Sequence, residues 1–282
     1  MIEEPLLPEY DEQVERIEIQ LLLEAVFRRY GYDFRNYAYP SIRRRIWYRT
    51  TMERLATISM LQDRVLHDRE AFDRLLTDLV IPVTEMFRDP AMFRWLRERV
   101  VPELQHLPFV RAWHAGCASG EEAFSTAILL HEEGMLDRSR LYATDISQTA
   151  LRRAREGVLP RDRVDLYERN YREAGGSGDF AAYCDTFHGT KRLKASFAER
   201  IVFAEHNLVT DRSFNEFHLI FCRNVMIYFN PELRERVHQL LYESLADGGF
   251  LILGGKETVA FTKFSARYET WNDEYRIYRK VR

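Results

Sequence analysis

Cysteine is scarce in this chain of 282 residues. Its three cysteines, Cys117, Cys184 and Cys222, are too few and too scattered for a disulfide framework or a zinc site. The eight histidines show no ligand spacing, so we predict no metal. No apolar run approaches the ~18–20 residues of a membrane span, and the acidic amino terminus lacks the basic-then-apolar plan of a signal peptide. These absences predict a cytoplasmic protein without membrane insertion.

A large positive charge is also absent. The formal net charge of −3 argues against a general nucleic-acid binder. A content of 46% hydrophobic and 30% charged residues is typical of a globular protein. The length suits one large domain, or one large and one small domain.

The hydrophobic pattern divides the chain in two. In residues 1–75 apolar residues recur at three- and four-residue spacing, which predicts a small all-α N-terminal domain. Residues 76–282 alternate strand-like and helix-like segments, which predicts an α/β domain with a mostly parallel sheet covered on both faces. The alternating tail 275–281 predicts an antiparallel edge strand. Residues 158–200 are polar and Gly-rich without a clean period, so we expect an inserted subdomain there.

Charge is segregated within the N-terminal region. Residues 3–24 hold eight acids against one arginine, whereas residues 28–54 hold eight arginines against two acids. The usual explanation of such a run is a solvated helix face. On an otherwise acidic chain, the arginines also suggest a docking surface for an acidic partner.

A glycine-bearing loop between a predicted strand and a predicted helix marks a candidate cofactor site. Gly116 and Gly120 are spaced G-x-x-x-G, which is neither the dinucleotide fingerprint nor a P-loop. Glu121 and Glu122 follow and would repel a pyrophosphate, so a cofactor with cationic groups, such as S-adenosylmethionine, fits better. Asp145 ends the next predicted strand, where a carboxylate can hold ribose hydroxyls. An ordinary αβ loop, with Asp145 as a helix N-cap, remains the alternative.

Six segments carry a resemblance to a known family: TEMFRDPAMF (84–93), AGCASGEEAFS (115–125), YATDIS (142–147), HNL (206–208), FHLIFCRNVMIYFN (217–230) and GGFLILGGKE (248–257). The Cys-Arg-Asn-Val-x-Ile-Tyr-Phe and Thr-x-x-Phe-Arg motifs are specific, and the glycine loop alone is weak. Together the segments closely resemble the CheR family, the chemotaxis-receptor methyltransferases that use S-adenosylmethionine to esterify receptor glutamates. The resemblance covers most of the chain, and it implies a Rossmann-like class I methyltransferase sheet preceded in sequence by an all-α domain.

The resemblance also implies roles for individual residues. Arg88 and Tyr228 would act at the reacting groups, with the Tyr228 hydroxyl toward the methyl group. The residues that would hold S-adenosylmethionine, and its product S-adenosylhomocysteine, are Thr84, Arg88, Glu122, Asp145, Asn207, Leu208, Arg223 and Asn224. Arginines of the N-terminal domain would dock the acidic methylation helices of the receptor, namely Arg43, Arg44, Arg45 and Arg49. Pro82 departs from the pattern, because the family often has asparagine there.

Several of these residues have structural alternatives. Thr84 and Asn207 could cap a helix or form a turn, and Tyr228 could be a core tyrosine with a satisfied hydroxyl. Cys117 and Cys222 are better explained as small core residues than as nucleophiles. Arg223 at the end of a buried strand is harder to explain structurally, because an unpaired charge there is costly.

The predicted activity is therefore methyl transfer to glutamate side chains of chemoreceptors or receptor-like signalling proteins. A glutamate carboxylate is already ionised at neutral pH, with an ordinary pKa of about 4.3, so the reaction needs no general base. Another acceptor, such as a small-molecule acid, remains open, whereas the Asp/Asn-Pro-Pro-Tyr of nucleic-acid amino methyltransferases is absent. A scaffold or sensor that binds S-adenosylmethionine or S-adenosylhomocysteine without turnover is the alternative from a different class.

Overall fold

The structure, a computed structural model, describes residues 11–80 and 84–281. Contacts divide the chain into two units, which are described separately. The first comprises Met1–Ile81 with Tyr228–Arg234, and the second comprises Pro82–Ile227 with Glu235–Arg282. Pro82, where the sequence departs from the family pattern, lies outside the described residues.

The first unit is helical. Apolar faces of its helices meet in one core that includes Leu22, Ile46 and Phe72. Asp11 caps the first helix by accepting hydrogen bonds from two backbone N–H groups, and Gly31 ends it with φ +81°. The helices are α1 (Glu12–Tyr30), α2 (Tyr39–Met52), α3 (Ile58–His67) and α4 (Arg69–Leu79). The boundary expected after residue 75 falls inside α4, so the helical region is longer than predicted.

The second unit is built on a sheet of seven described strands. They are β1 (Val110–Ala115), β2 (Ser139–Asp145), β5 (Ile201–Glu205), β6 (Phe217–Cys222), β7 (Leu245–Leu253), β8 (Tyr268–Asn272) and β9 (Ile277–Lys280). Their order in the sheet is β5-β2-β1-β6-β7-β9-β8. The first five in this order are parallel, and β9 and β8 are antiparallel at one edge. This confirms the predicted mostly parallel α/β fold with an antiparallel edge.

Helices cover this sheet. The helix that follows β1 is buried along most of its length, with Phe124, Ala127 and Ile128 in the core. Such burial is expected where a helix packs on a parallel sheet and is itself covered by further elements. The α-helices described after residue 84 are α5 (Pro90–Trp95), α6 (Val101–Gln105), α7 (Glu121–Glu132), α8 (Gln148–Glu156), α9 (Val164–Glu173), α10 (Ala195–Ala198) and α11 (Pro231–Ser244), and α11 begins with residues of the first unit.

The segment predicted to be an insertion lies between α8 and β5. It contains α9, a two-stranded antiparallel sheet of β3 (Cys184–Phe187) with β4 (Thr190–Leu193), and α10. The hydroxyl of Tyr183 donates to Glu132 of α7 at 2.9 Å, and that of Tyr171 donates to the same carboxylate. The insertion is therefore anchored to the helix that follows the glycine loop. The sequence predicted an insertion here but not the regular helix α9.

The topology places one crevice at the carboxyl ends of the central strands. β1 lies between β2 and β6 in the sheet. The strands that follow β1 in sequence are first added on the β2 side and later on the β6 side, so the strand order reverses at β1. Ligands of open α/β sheets bind at such a switch point. Among the described residues, no helix combines the length and apolarity that crossing a bilayer would need.

Candidate active site at the carboxyl ends of β1, β2 and β6

The glycine loop after β1 needs its glycines for two reasons. Gly116 has φ +79° and Gly120 has φ +90°, which side chains rarely adopt. A Cβ on Gly116 would lie 2.6 Å from Cγ2 of Val225, and one on Gly120 would lie 3.0 Å from Cβ of Ala154. The loop after β1 is therefore packed directly against the loop after β6. The helix that follows begins at Glu121, and the free N–H groups of such an N-terminus can face a bound group.

Asp145 bridges two loops. It ends β2 and is 6% exposed. Its Oδ2 accepts the N–H of Ala118 and its Oδ1 accepts the N–H of Ser147, each at 2.8 Å. Burial raises the pKa of Asp145, and these backbone donors act in the opposite direction. A carboxylate has about four acceptor positions, more than these backbone donors occupy, so the group can still accept a hydroxyl hydrogen bond.

The N-cap alternative for Asp145 is wrong. Ser147 is the N-cap of α8, and its hydroxyl accepts the N–H of Ala150 at 3.2 Å. Asp145 instead accepts a hydrogen bond from the backbone N–H of Ser147, the N-cap residue itself. Its expected contact with ribose hydroxyls stays a prediction.

A buried charge cluster connects α7 with the end of β6. Nη1 of Arg223 donates to Oε2 of Glu122 at 2.8 Å, and Nη2 of Arg223 donates to Asp89. Nδ1 of His114, on β1, lies 3.1 Å from Oε1 of Glu122. Burial acts to raise the pKa of Glu122, but the His114 hydrogen bond and the Arg223 charge hold it below its ordinary value. Two acids thus pair with the Nη1 and Nη2 groups of Arg223, which explains how a cation can follow a buried strand, while its Nε is buried without a hydrogen-bond partner among the described residues.

The cluster has a charge pattern that suits an amino acid zwitterion. A guanidinium and a carboxylate lie side by side at Arg223 and Glu122, and the side chain of Asp89 is 62% exposed. A carboxylate and an ammonium brought to this point would each meet an opposite charge in a site of low dielectric. The methionyl end of S-adenosylmethionine carries both groups.

The segment before α5 joins this cluster through its backbone. The N–H of Phe87 donates to the hydroxyl of Ser125 on α7 at 2.8 Å, which fixes the segment against that helix. The carbonyl of Arg88 lies 3.4 Å from Nη1 of Arg223. The side chains of Thr84 and Arg88 are half-buried. Both residues therefore lie in a segment that reaches the end of β6, while their contacts with a cofactor stay predictions.

The loop after β6 is held by a residue to which we assigned no role from the sequence. Asn224 follows Arg223 with φ +61°, a left-handed conformation that costs energy for a residue with a side chain. The carboxylate of Glu257, 5% exposed, accepts four backbone N–H groups around it. The donors are Asn224 (2.8 Å), Val225 (3.0 Å), Met226 (2.7 Å) and Gly254 (2.7 Å). Glu257 ends the recognised segment 248–257, but no spacing rule connects it with residues more than thirty positions earlier.

Asn207 and Leu208 follow β5. Oδ1 of Asn207 accepts the N–H of Val209 at 2.9 Å, and its own N–H donates to Asp211 at 2.8 Å. Asn207 thus forms the turn that was its structural alternative. Leu208 is buried. Their contact with adenine stays a prediction.

Cys117 and Cys222 are buried, and burial raises the pKa of both thiols. This agrees with their interpretation as core residues. Among residues 11–80 and 84–281, no group of three histidine, cysteine or acidic side chains could hold a metal ion.

The predicted docking arginines have different surroundings in the first unit. Arg44 is exposed. Arg43 is half-buried and pairs with Glu15, and Arg49 pairs with Asp78 at 2.5 Å. The Arg43–Glu15 pair joins α2 to α1, and the Arg49–Asp78 pair joins α2 to α4. Arg43 therefore pairs with an acid of the acidic stretch 3–24, whereas Arg49 pairs with an acid outside it.

Arg45 is not a surface residue. It is 5% exposed, its Nη1 donates to the carbonyl of Leu79, and its guanidinium lies over the ring of Tyr228, 4.5 Å from the centroid. The expectation that Arg45 docks an acidic partner from the surface is therefore wrong for this geometry. Burial lowers the pKa of Arg45. Tyr228 is half-buried, and its carbonyl accepts the N–H of Ala38 at 2.8 Å, so its contacts described here belong to the first unit.

A parallel sheet with a glycine loop, an acid at the end of β2 and a charge cluster at the switch point defines an α/β methyltransferase of the S-adenosylmethionine-dependent class. Two family descriptions match the chain. "CheR methyltransferase, SAM binding domain" matches residues 82–273, and "CheR methyltransferase, all-alpha domain" matches residues 17–80. The chain belongs to the CheR methyltransferase family, which confirms the resemblance seen in the sequence.

Relatives of similar length agree. "Putative methyltransferase Cher3" of Pseudomonas putida is 48% identical over 264 residues, covering 94% of this chain and 97% of that protein. "Chemotaxis protein methyltransferase" of Listeria innocua is 30% identical over 237 residues, covering 83% of this chain and 87% of that protein. "Chemotaxis protein methyltransferase 1" of Pseudomonas aeruginosa is 30% identical over 224 residues, covering 73% and 77%.

Likeness to solved structures is weaker. A SAM-dependent methyltransferase from Geobacter sulfurreducens, solved in complex with S-adenosyl-L-homocysteine, is 16% identical with a TM-score of 0.32. The match covers 61% of this chain and 48% of that chain. A TM-score at this level is too low to support a shared site.

Proposed function

We propose that this protein is a glutamate O-methyltransferase. It transfers the methyl group of S-adenosylmethionine to glutamate side chains of chemoreceptors or receptor-like signalling proteins. The observation that carries the cofactor assignment is the buried Glu122–Arg223 pair beside the glycine loop. The names of the chemotaxis methyltransferase relatives support the receptor substrate.

The residues present fit the cofactor. Arg223 and Glu122 would take its carboxylate and ammonium, and Asp145 would accept ribose hydroxyls with its remaining lone pairs. Asn207 and Leu208 would flank the adenine, and Thr84, Arg88 and Asn224 would close the pocket. S-adenosylmethionine, when bound, supplies an electrophilic methyl group on a sulfonium. The side chains of Arg223 and Glu122 are largely buried, so a cofactor group that contacts them would be partly removed from water.

The chain needs to orient the acceptor but need not remove a proton from it. The substrate glutamate is ionised at neutral pH, so its oxygen can attack without a base. Arg88 and Tyr228, in roles taken from the family resemblance, would hold the carboxylate in line with the methyl group. Arg88 must not pair too tightly, because a strong bidentate bridge would stabilise the ground state of the nucleophile.

The partner would be an acidic helix. Methylation helices present several carboxylates, and Arg44 offers an exposed guanidinium on α2 of the helical unit. Arg43 and Arg49 already pair with acids of this chain, so they would contribute less unless those pairs open. Rim charges of this kind change association rate and salt dependence more than the affinity of a formed complex.

Calorimetric titration with S-adenosylmethionine and S-adenosylhomocysteine tests the cofactor site. We expect binding by the wild type and weakening of about tenfold or more in Glu122→Gln, which removes one charge without changing shape. Glu132→Gln is the matched control, because Glu132 is a largely buried acid of the same helix, paired with Arg97 at 2.6 Å. A folded wild type that binds neither ligand would contradict the assignment.

A second assay tests the acceptor. Incubation with a methyl-labelled cofactor and a receptor cytoplasmic fragment should label the fragment, and the label should leave as methanol at alkaline pH because methyl esters hydrolyse there. Alkali-stable label would indicate an acceptor other than a carboxylate and overturn the glutamate assignment. Cofactor binding without any transfer would favour the sensor alternative.

A further inference from the structure

Glu257 has an unusual set of partners for a buried acid. Its hydrogen-bond donors within the described chain are backbone N–H groups, three of them from the consecutive residues Asn224, Val225 and Met226. The fourth is from Gly254. Consecutive N–H groups that converge on one point form a nest for an anion, and here the anion is supplied by the chain itself.

The two carboxylate oxygens divide these donors. Oε1 accepts from Val225 and Met226, and Oε2 accepts from Asn224 and Gly254. Gly254 is needed for this approach, because a Cβ there would lie 2.7 Å from Oε2 of Glu257. Burial raises the pKa of Glu257, and the four N–H groups oppose that shift. The arrangement offsets the cost of burying a charge with charge-assisted hydrogen bonds.

The held loop is the one that carries the candidate cofactor residues. Arg223, which pairs with Glu122, immediately precedes the nest, and Asn224 is its first residue. Asn224 keeps its left-handed φ of +61° while its N–H points to Glu257. Strained residues persist only where their surroundings over-determine them, and Glu257 supplies that constraint.

The same loop also sets the glycine loop. Val225, held by Oε1 of Glu257, presents Cγ2 where a Cβ on Gly116 would be 2.6 Å away. Displacement of residues 224–226 would therefore move the wall against which the loop after β1 is packed. Glu257 thus reaches both sides of the crevice between β1 and β6 through the backbone, without itself being among the predicted cofactor ligands.

We propose that Glu257 is a positioning residue for cofactor binding. Its carboxylate locks the backbone of Asn224–Met226, so that Arg223 and Asn224 are presented to the methionyl end of S-adenosylmethionine and the glycine loop is supported. This inference rests on the proposed function for its ligand. It adds a residue that acts through the loop and does not touch the reacting groups.

The isosteric variant Glu257→Gln gives a sharp test. The glutamine oxygen can satisfy one pair of donors, while its NH₂ group faces the other pair as a second donor. We expect amide hydrogen exchange to accelerate either for Val225 and Met226 or for Asn224 and Gly254, with the other pair still protected. S-adenosylhomocysteine binding, measured by calorimetry, should weaken about tenfold to a hundredfold.

Two further variants separate positioning from loss of stability. Glu257→Asp keeps the charge but shortens the reach, so all four amides should exchange faster, and it serves if the glutamine variant does not fold. Glu132→Gln, at a largely buried acid hydrogen-bonded to Tyr171 and Tyr183, should lower the thermal midpoint while leaving affinity and the four amides unchanged.

The outcomes are distinguishable. A wild type that binds S-adenosylhomocysteine, with Glu257 variants that bind it equally well, would overturn the positioning role and leave the proposed function standing. A folded wild type that binds neither S-adenosylmethionine nor S-adenosylhomocysteine would overturn the proposed function, and the positioning role with it. Affinity lost equally in the Glu257 and Glu132 variants would reduce Glu257 to a structural role.

Discussion

Arg45 lies over the ring of Tyr228, with its guanidinium carbon 4.5 Å from the ring centroid. Nε and Nη2 of Arg45 are buried without a hydrogen-bond partner among the described residues, so the aromatic face is a main source of compensation for this cation. The finding separates Arg45 from Arg44, its neighbour in sequence, which is exposed. Adjacent arginines of one basic run therefore have different physical roles.

Arg45→Glu should unfold the helical unit more easily. A carboxylate there would face the carbonyl of Leu79 and the negative face of the Tyr228 ring, with no donor to replace the guanidinium. We expect the free energy of unfolding to fall by about 3 kcal/mol. Denaturant unfolding followed by circular dichroism measures it. A variant as stable as the wild type would show that Arg45 is not buried in solution.

Arg44→Glu should leave the stability of the helical unit almost unchanged and should affect receptor methylation instead. Because Arg44 is exposed, its replacement should change the free energy of unfolding by no more than about 0.5 kcal/mol. If α2 docks an acidic helix, the initial rate of receptor methylation should fall several-fold at low salt, and the difference should shrink at high salt. Cofactor affinity serves as the internal control. An unchanged rate at low salt would remove Arg44 from the docking surface.

Glu121 and Glu122 are adjacent acids with opposite pKa shifts. Burial raises the pKa of Glu121 above 4.5, only partly offset by the hydroxyl of Ser119 at 2.8 Å. A raised folded pKa gives stability that is present below the ordinary pKa and lost as the pH rises through the folded value. Glu121→Gln should therefore stabilise the protein at neutral pH, and the difference should vanish as the pH falls below the ordinary pKa of glutamate.

Glu122→Gln should have the opposite effect on the pH dependence of stability. The pKa of Glu122 is held down by His114 and Arg223 against the effect of burial, so its contribution is present above the ordinary pKa and lost as the pH falls. The variant should be less stable than the wild type at neutral pH and approach it in acid. Thermal midpoints across a pH series test both variants together. Shifts of the same sign would contradict the assigned environments.

The sequence was most informative for features that depend on residues close together in the chain. The glycine loop, the strand that ends at Asp145 and the parallel sheet follow from periodicity and from the needs of a helix N-terminus. The docking role of Arg45 came from the family resemblance, and neither that resemblance nor a run of arginines shows which of them faces inward. Glu257 was missed because its contacts with residues 224–226 span more than thirty positions and involve only their backbone. Long-range contacts to the main chain leave no residue-type signal.

Gly116 offers a final prediction, because its two constraints can be separated. Gly116→Ala incurs both the cost of a Cβ at φ +79° and the contact with Val225. Gly134 has φ +67°, and no described heavy atom lies within 4 Å of the point where its Cβ would be. Gly134→Ala therefore measures the backbone cost alone, about 1 kcal/mol.

We expect Gly116→Ala to cost about 1–3 kcal/mol more than Gly134→Ala, because overpacking adds to the backbone cost. It should also weaken S-adenosylhomocysteine binding, which Gly134→Ala should not. Adding Val225→Ala to Gly116→Ala should recover part of the loss, since the methyl group that collides is removed. A double-mutant cycle measured by denaturant unfolding and calorimetry gives the coupling. Additive effects would mean that the loops after β1 and β6 do not touch in solution. Glu257 could then not support the glycine loop through Val225.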